Sequence, residues 1–282
     1  MLLDFFKDGD DAMNPCFTPV ALPLLALPRG LLQLSSRLLT WRDHEDVLAF
    51  RRQIFLTLPR KFRVTDPDCE DIEAAETRWA QTHLCHQAIT LGIFHGSKLI
   101  AFASLIFPQG ASEDDKLSRL LGLSNSDNQR SAQMAACMVA EDFRGFRLQP
   151  ALLAWRRHVA ALAGTSLIVS MTACGNVYSM RNLLAAGMSI RWVGELKPDR
   201  WWQILAMDLE AASAGPPRPD PVFVHGNDYR QQAALTRLDY EGVKEIAGKF
   251  INGEKSGHLE FVKREVSTSK NSEGSNLGLM RK

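Results

Sequence analysis

The stretch Val139-Ala140-Glu141-Asp142-Phe143-Arg144-Gly145-Phe146-Arg147-Leu148-Gln149-Pro150-Ala151-Leu152-Leu153 closes one apolar run and opens another. An acidic pair ends the first run, an Arg-Gly step turns the chain, and Pro150 stands where a helix begins. The first N–H groups of a helix have no partner inside it and point outward. Together with the helix dipole they form a cradle for an anion.

Working outward, Gln133 to Val139 is almost continuously apolar, which fits a strand covered on both faces. Leu152, Trp155, Val159 and Leu162 recur at helical spacing between Pro150 and Ala163, with Gly164 as the stop and Arg156, Arg157 and His158 to the sides. Leu167 to Met171 is a second apolar run. Strand, helix and strand in this order predict a parallel pair joined by a right-handed crossover.

The flanks complete the order. A short strand is expected at Leu38 to Trp41 and a helix from Asp43 to Leu58 that Pro59 stops. A second helix follows from Asp71 to Cys85, then a hairpin of Ile89 to Phe94 and Lys98 to Phe107 around His95, Gly96 and Ser97. Pro108 to Ser131 reads as a long loop or short helical insertion. Beyond the parallel pair come a helix from Asn176 to Ala186, a stop at Gly187, and an antiparallel pair, Met188 to Leu196 and Trp201 to Leu209.

Both this order and the opening stretch resemble the GNAT family of N-acetyltransferases, whose coenzyme A loop usually reads Arg-Gly-x-Gly-x-Gly or Ala after a strand. A second stretch agrees: Asn176, Ser179, Gly187 and Met188 stand at the intervals of the family's other motif. The resemblance spans Leu38 to Leu209. It implies an α/β fold with a mixed, mostly antiparallel sheet, a central splayed parallel strand pair and flanking helices.

The resemblance also implies acetyl-coenzyme A as co-substrate and direct transfer to an amine in a ternary complex. Met138 and Val139 would pair with the pantetheine amides, and one N–H of that strand would meet the thioester oxygen. Arg144, Gly145, Phe146, Arg147, Leu148 and Gln149 would hold the pyrophosphate, and Asn176 and Ser179 would lie along the pantetheine arm. Tyr178 is the candidate catalytic acid, although the family's usual tyrosine corresponds to Leu183 and its glutamate base to Ser131. Arg147 replaces a glycine, so it either adds a phosphate ligand or blocks the loop. The acceptor is an amine on a small molecule or a protein, and a homodimer stays open. Two alternatives stand beside this reading, a catalytically silent acyl-coenzyme A binder and an acyltransferase for longer chains.

Composition agrees with an ordinary globular chain. Its 282 residues are 45% hydrophobic with a formal net charge of +1, which leaves no broad basic face for nucleic acid. The five cysteines are odd in number, widely spaced and without a Cys-x-x-Cys pair, as suits a reducing compartment, and a cytoplasmic protein is expected. The apolar opening from Cys16 to Leu34 is broken by Pro19, Pro23, Pro28 and Arg29, too short to span a bilayer. His83, Cys85 and His86 do not share one helix face, so no metal is expected.

Three regions follow: an irregular arm over 1–37, the transferase-like domain over 38–210, and a tail over 211–282. The tail is expected to contain a Pro-rich linker, helices at Asp228 to Leu238 and Tyr240 to Phe250, and a disordered end.

Overall fold

The computed structural model describes residues 34–59, 71–85, 87–107, 116–210, 221–246, 250–251, 254–255 and 257–264. The expected segments over 1–33 and 265–282 and the linker over 211–220 lie outside them. Strand β1 (Leu34–Leu39) is followed by a 3-10 turn, helices α1 (His44–Thr57) and α2 (Ile72–Leu84), and strands β2 (Ala88–His95) and β3 (Lys98–Ile106). Two short helices, α3 (Lys116–Leu120) and α4 (Asn125–Gln129), occupy the described part of the insertion. Then come β4 (Ser131–Val139), α5 (Leu148–Leu162), β5 (Leu167–Ala173), α6 (Val177–Ala185), β6 (Ser189–Lys197) and β7 (Arg200–Asp208).

The first strand begins earlier than expected, because Leu34 to Leu39 pairs with His95 to Thr90 of β2, while Trp41 belongs to the turn. β2, β3 and β4 are antiparallel neighbours, β4 and β5 are parallel, and β7 lies between β5 and β6. This is one open, mostly antiparallel α/β sheet with a single described parallel pair, as the resemblance implies.

The two faces are covered by different helices. α1 and α2 pack with Leu39, Leu99 and Phe102, and Ala136 and Met138 lie against that cluster. α5 and α6 cover the other face, where Ile100, Ala103, Leu105 and Met134 meet Leu148, Leu152, Trp155 and Leu183. Each fully buried aliphatic side chain there contributes about 2 kcal/mol. Arg156, placed by helical spacing at the side of α5, is instead 1% exposed.

The chain past 220 departs from expectation. β8 (Val222–His225) and α7 (Tyr229–Arg237) precede β9 (Tyr240–Ile246), where a second helix was expected. The apolar spacing in that segment is compatible with a helix, but the open edge of β6 takes it as a strand through Ile190 and Gly242. Gly242 suits the crossing, since a Cβ there would stand 3.1 Å from Ile190 and 3.2 Å from Phe261. β12 (His258–Lys263) then joins β9 and β8, so the sheet reaches ten strands, and β10 (Phe250–Ile251) and β11 (Glu254–Lys255) make a separate pair.

Polar clamps fix this extension. Arg181 of α6 pairs with Glu245 of β9, and the Ser189 hydroxyl donates to Glu241 at 2.7 Å. The Gln203 amide donates to Gln232 Oε1 at 2.9 Å, with both residues buried. Among the described residues no helix is long and apolar enough to cross a membrane.

Candidate active site

The parallel pairing of β4 and β5 runs from Ser131 and Leu167 to Met134 and Ser170 and stops there. Both strands continue, β4 along β3 to Val139 and β5 along β7 to Ala173. They therefore part, and residues 135–140 are half-buried on both faces although neighbouring sheet positions are closed. Met138 and Val139 lie at this open end.

β4 also carries a bulge. Ala103 pairs with Cys137 and Leu105 with Met134, so Ala135 and Ala136 together oppose Ser104. Beneath it lies the Arg156 guanidinium, whose Nη1 is 3.4 Å from the Ala135 carbonyl oxygen and 3.5 Å from that of Ser104. Its Nε donates to Leu152 O at 3.3 Å. Arg156 has no carboxylate partner among the described residues. Burial lowers its pKa. Burial also pushes the Cys137 thiol up, against the pull of that guanidinium, so Cys137 is a poor nucleophile.

Directly after β4 a 3-10 turn at Glu141–Phe143 leads into the loop. Gly145 has φ +87°, and a Cβ there would meet nothing within 4 Å, so open space lies over it. Arg147 sits at φ 60°, ψ 20°, in the left-handed region, directly before α5. The loop thus already has the backbone shape a glycine would supply, at a cost of roughly 1 kcal/mol. Arg147 is exposed, and its side chain does not cap the helix.

Among the described residues the consecutive backbone N–H groups of Gly145, Phe146, Arg147, Leu148 and Gln149 have no partner. Positive φ at Gly145 and Arg147 gives this run the mixed handedness from which backbone nests are built. Arg144 is exposed, donates from Nη2 to Thr57 Oγ1 at 3.2 Å, and has its guanidinium 3.9 Å from Glu141. Gln149 accepts from Asn182 Nδ2 at 2.8 Å, which ties the start of α5 to α6.

α6 begins at the C-terminal end of β5. Asn176 caps it, accepting from Ser179 N–H at 3.3 Å, so these two predicted residues do meet, and Gly187 at φ +94° ends it. Tyr178 is 80% exposed and its hydroxyl has no described partner, whereas Leu183 is buried at 3%. Ser131 is buried too, its hydroxyl donating to Asn128 O at 2.8 Å.

A group that the sequence reading passed over comes from the extension. Trp201, His225, Asn227, Asp228, Tyr229 and Arg230 line an open hollow of about 510 Å3. It adjoins the end of β5, because Cys174 N–H donates to Trp201 O at 2.9 Å. The Trp201 and Tyr229 rings stand 6.2 Å apart. Burial raises the Tyr229 phenol above its ordinary pKa, and the neighbouring Cys174 adds to the rise. Burial likewise pushes the Cys174 thiol up to about 12.

His83 belongs to another part of the molecule. Its ring stacks on Trp79 at 4.1 Å with Nδ1 2.7 Å from Trp79 O, under α2, and His86 lies outside the described residues.

No family model matches the sequence, and no curated protein matches it. Solved structures do. An acetyltransferase of the GNAT family from Streptococcus pneumoniae is 13% identical, with a TM-score of 0.47 over 63% of this chain and 100% of that one. An N-acetyltransferase from Staphylococcus aureus is 12% identical, with a TM-score of 0.47 over 63% and 99%. A ribosomal-protein-alanine N-acetyltransferase from Brucella melitensis is 15% identical, with a TM-score of 0.46 over 62% and 99%.

Proposed function

We propose that this chain is an acyl-coenzyme A dependent N-acyltransferase, most simply an N-acetyltransferase acting by direct transfer. One observation carries the reading. The parting of β4 from β5 after Met134 and Ser170 lies at the same end of the sheet as the unpartnered N–H row from Gly145 to Gln149. A slot between strands suits an extended amide-bearing arm, and a nest beside it suits a pyrophosphate.

In this reading the loop N–H groups and Arg147 hold the pyrophosphate, and the Met138 and Val139 backbone pairs with the pantetheine amides. Asn176 and Ser179 line the arm at the start of α6. Acetyl-coenzyme A supplies an activated acyl carbon. A neutral amine attacks that carbon, the carbon–sulfur bond breaks with its electron pair on sulfur, and the proton lost by nitrogen ends on the thiolate. Tyr178 is the proposed relay, giving its phenolic proton to the thiolate and regaining one from the attacking nitrogen, with Tyr229, half-buried near Cys174, as the second phenol at this end of β5. The acceptor amine is proposed to enter over the hollow beside Trp201.

Calorimetric titration with acetyl-coenzyme A, followed by thiol release in the presence of an amine panel, tests both halves. Binding with release supports a transferase. The burial of Leu183 in place of the family's tyrosine favours the second reading, a silent binder, and binding without release from any amine would establish it. The absence of binding would remove both readings.

A further inference from the structure

The bulge in β4 sets a direction that ordinary pairing would not. Met134 O accepts from Ser170 Oγ at 3.0 Å, so that carbonyl points toward β5. The next carbonyl, of Ala135, shares Arg156 Nη1 with Ser104 O of β3, so it points into the gap between β3 and β4. Among the described residues the backbone has no cis peptide bond. In a planar trans peptide the N–H is anti to the C=O, so the Ala136 N–H points the opposite way, toward the β5 edge. At that level β5 has already left the ladder, since its pairing ends at Met134 and Ser170. Ala136 has no register partner on β3 either.

Burying a guanidinium this deeply, with three carbonyl oxygens and no described carboxylate around it, is costly. An aliphatic side chain at 156 would fill the same space more cheaply, but would leave the two carbonyls freed by the bulge without a donor. We infer that Arg156 is a positioning residue for acyl transfer. It holds the Ala135 carbonyl in the β3–β4 gap and so aims the Ala136 N–H into the slot, where that N–H receives the thioester oxygen as it gains charge. The buried cation adds to the positive potential at the same point. This inference rests on the transferase reading above and assigns it a side chain outside both motifs.

The test uses the full chain, with acetyl-coenzyme A carrying 13C at its carbonyl as the probe. Bound to the unmodified protein, the carbonyl stretch should lie below that of the free thioester. Arg156→Met should return it toward the free value and lower the kcat for thiol release about 100-fold, the effect of losing one oxyanion donor, with Kd for coenzyme A changed less than about threefold. Arg156→Lys keeps the charge with one donor group and should recover part of both, and it carries the test if the methionine variant does not fold. An unchanged stretch in a folded variant, or a loss of binding that accounts for the whole loss of turnover, would overturn the role of Arg156. A protein that binds no acetyl-coenzyme A before any substitution would instead overturn the transferase reading itself.

Discussion

Gln203 of β7 and Gln232 of α7 share a buried amide bond of 2.9 Å across 29 residues of chain, and Gln232 Nε2 donates onward to the carbonyls of His225 and Gly226. Gln203 is 2% and Gln232 0% exposed, so neither amide has water to fall back on. The pair locks the turn that carries Asp228, Tyr229 and Arg230 to β7. Gln232→Leu should therefore lower stability by about 2 kcal/mol, the cost of buried polar groups left without partners. Urea unfolding should show this, and a wild-type midpoint would dissociate the pair from the stability of the extension.

Gly145 and Arg147 make predictions of different size. At φ +87° with open space above it, Gly145→Asp strains the turn and places a carboxylate in the anion nest, and should weaken coenzyme A binding at least about 100-fold. Arg147 already has the left-handed dihedrals that a glycine would supply at this position. Arg147→Gly should leave stability unchanged or slightly raised and weaken binding about tenfold through loss of one charge-assisted contact. Tighter binding in Arg147→Gly would instead mark the arginine as an obstruction.

Tyr178→Phe and Tyr229→Phe separate the two phenols. The proposed acid is Tyr178, and its replacement should lower kcat about 100-fold while KM for acetyl-coenzyme A holds. Tyr229→Phe removes only a hydroxyl from the lining of the hollow beside Trp201, and should act on the acceptor KM. If the effect on kcat follows Tyr229 instead, the acid comes from the extension.

His83 supplies the pH dependence of stability. Burial between α2 and the sheet lowers its pKa from 6.5 to about 4, with Arg51 pushing the same way and the Trp79 carbonyl opposing. The unfolded chain therefore takes up a proton near pH 6.5 that the folded chain refuses until about pH 4. Stability from this group is complete above about 6.5 and is lost as pH falls toward 4, by about 3 kcal/mol in all. His83→Gln should be less stable than wild type at pH 7.5 and show a shallower decline between pH 6.5 and 4.5 in urea titrations. Parallel declines would assign the acid sensitivity to carboxylates elsewhere.

What the residues determine by themselves is local. Gly145, Gly164 and Gly187 all adopt positive φ, and Asn176 caps α6, because these residue types favour such dihedrals or bonds whatever surrounds them. The β4–α5–β5 unit was legible for the same reason, its apolar runs and stops being written within a few tens of residues. Three features were decided only by distant segments coming together. Tyr240 to Ile246 became a strand because β6 offered an unpaired edge, a condition its own apolar spacing does not encode. Arg156, charged and adjacent to Arg157, was drawn into the core because a bulge on β4 left two carbonyls there to satisfy. Tyr229 reached the end of β5 only through the clamps on the extension, above all Gln203 and Gln232. Backbone preference is a property of a residue and its neighbours, whereas pairing edges and buried polar groups are completed by whichever part of the chain arrives there.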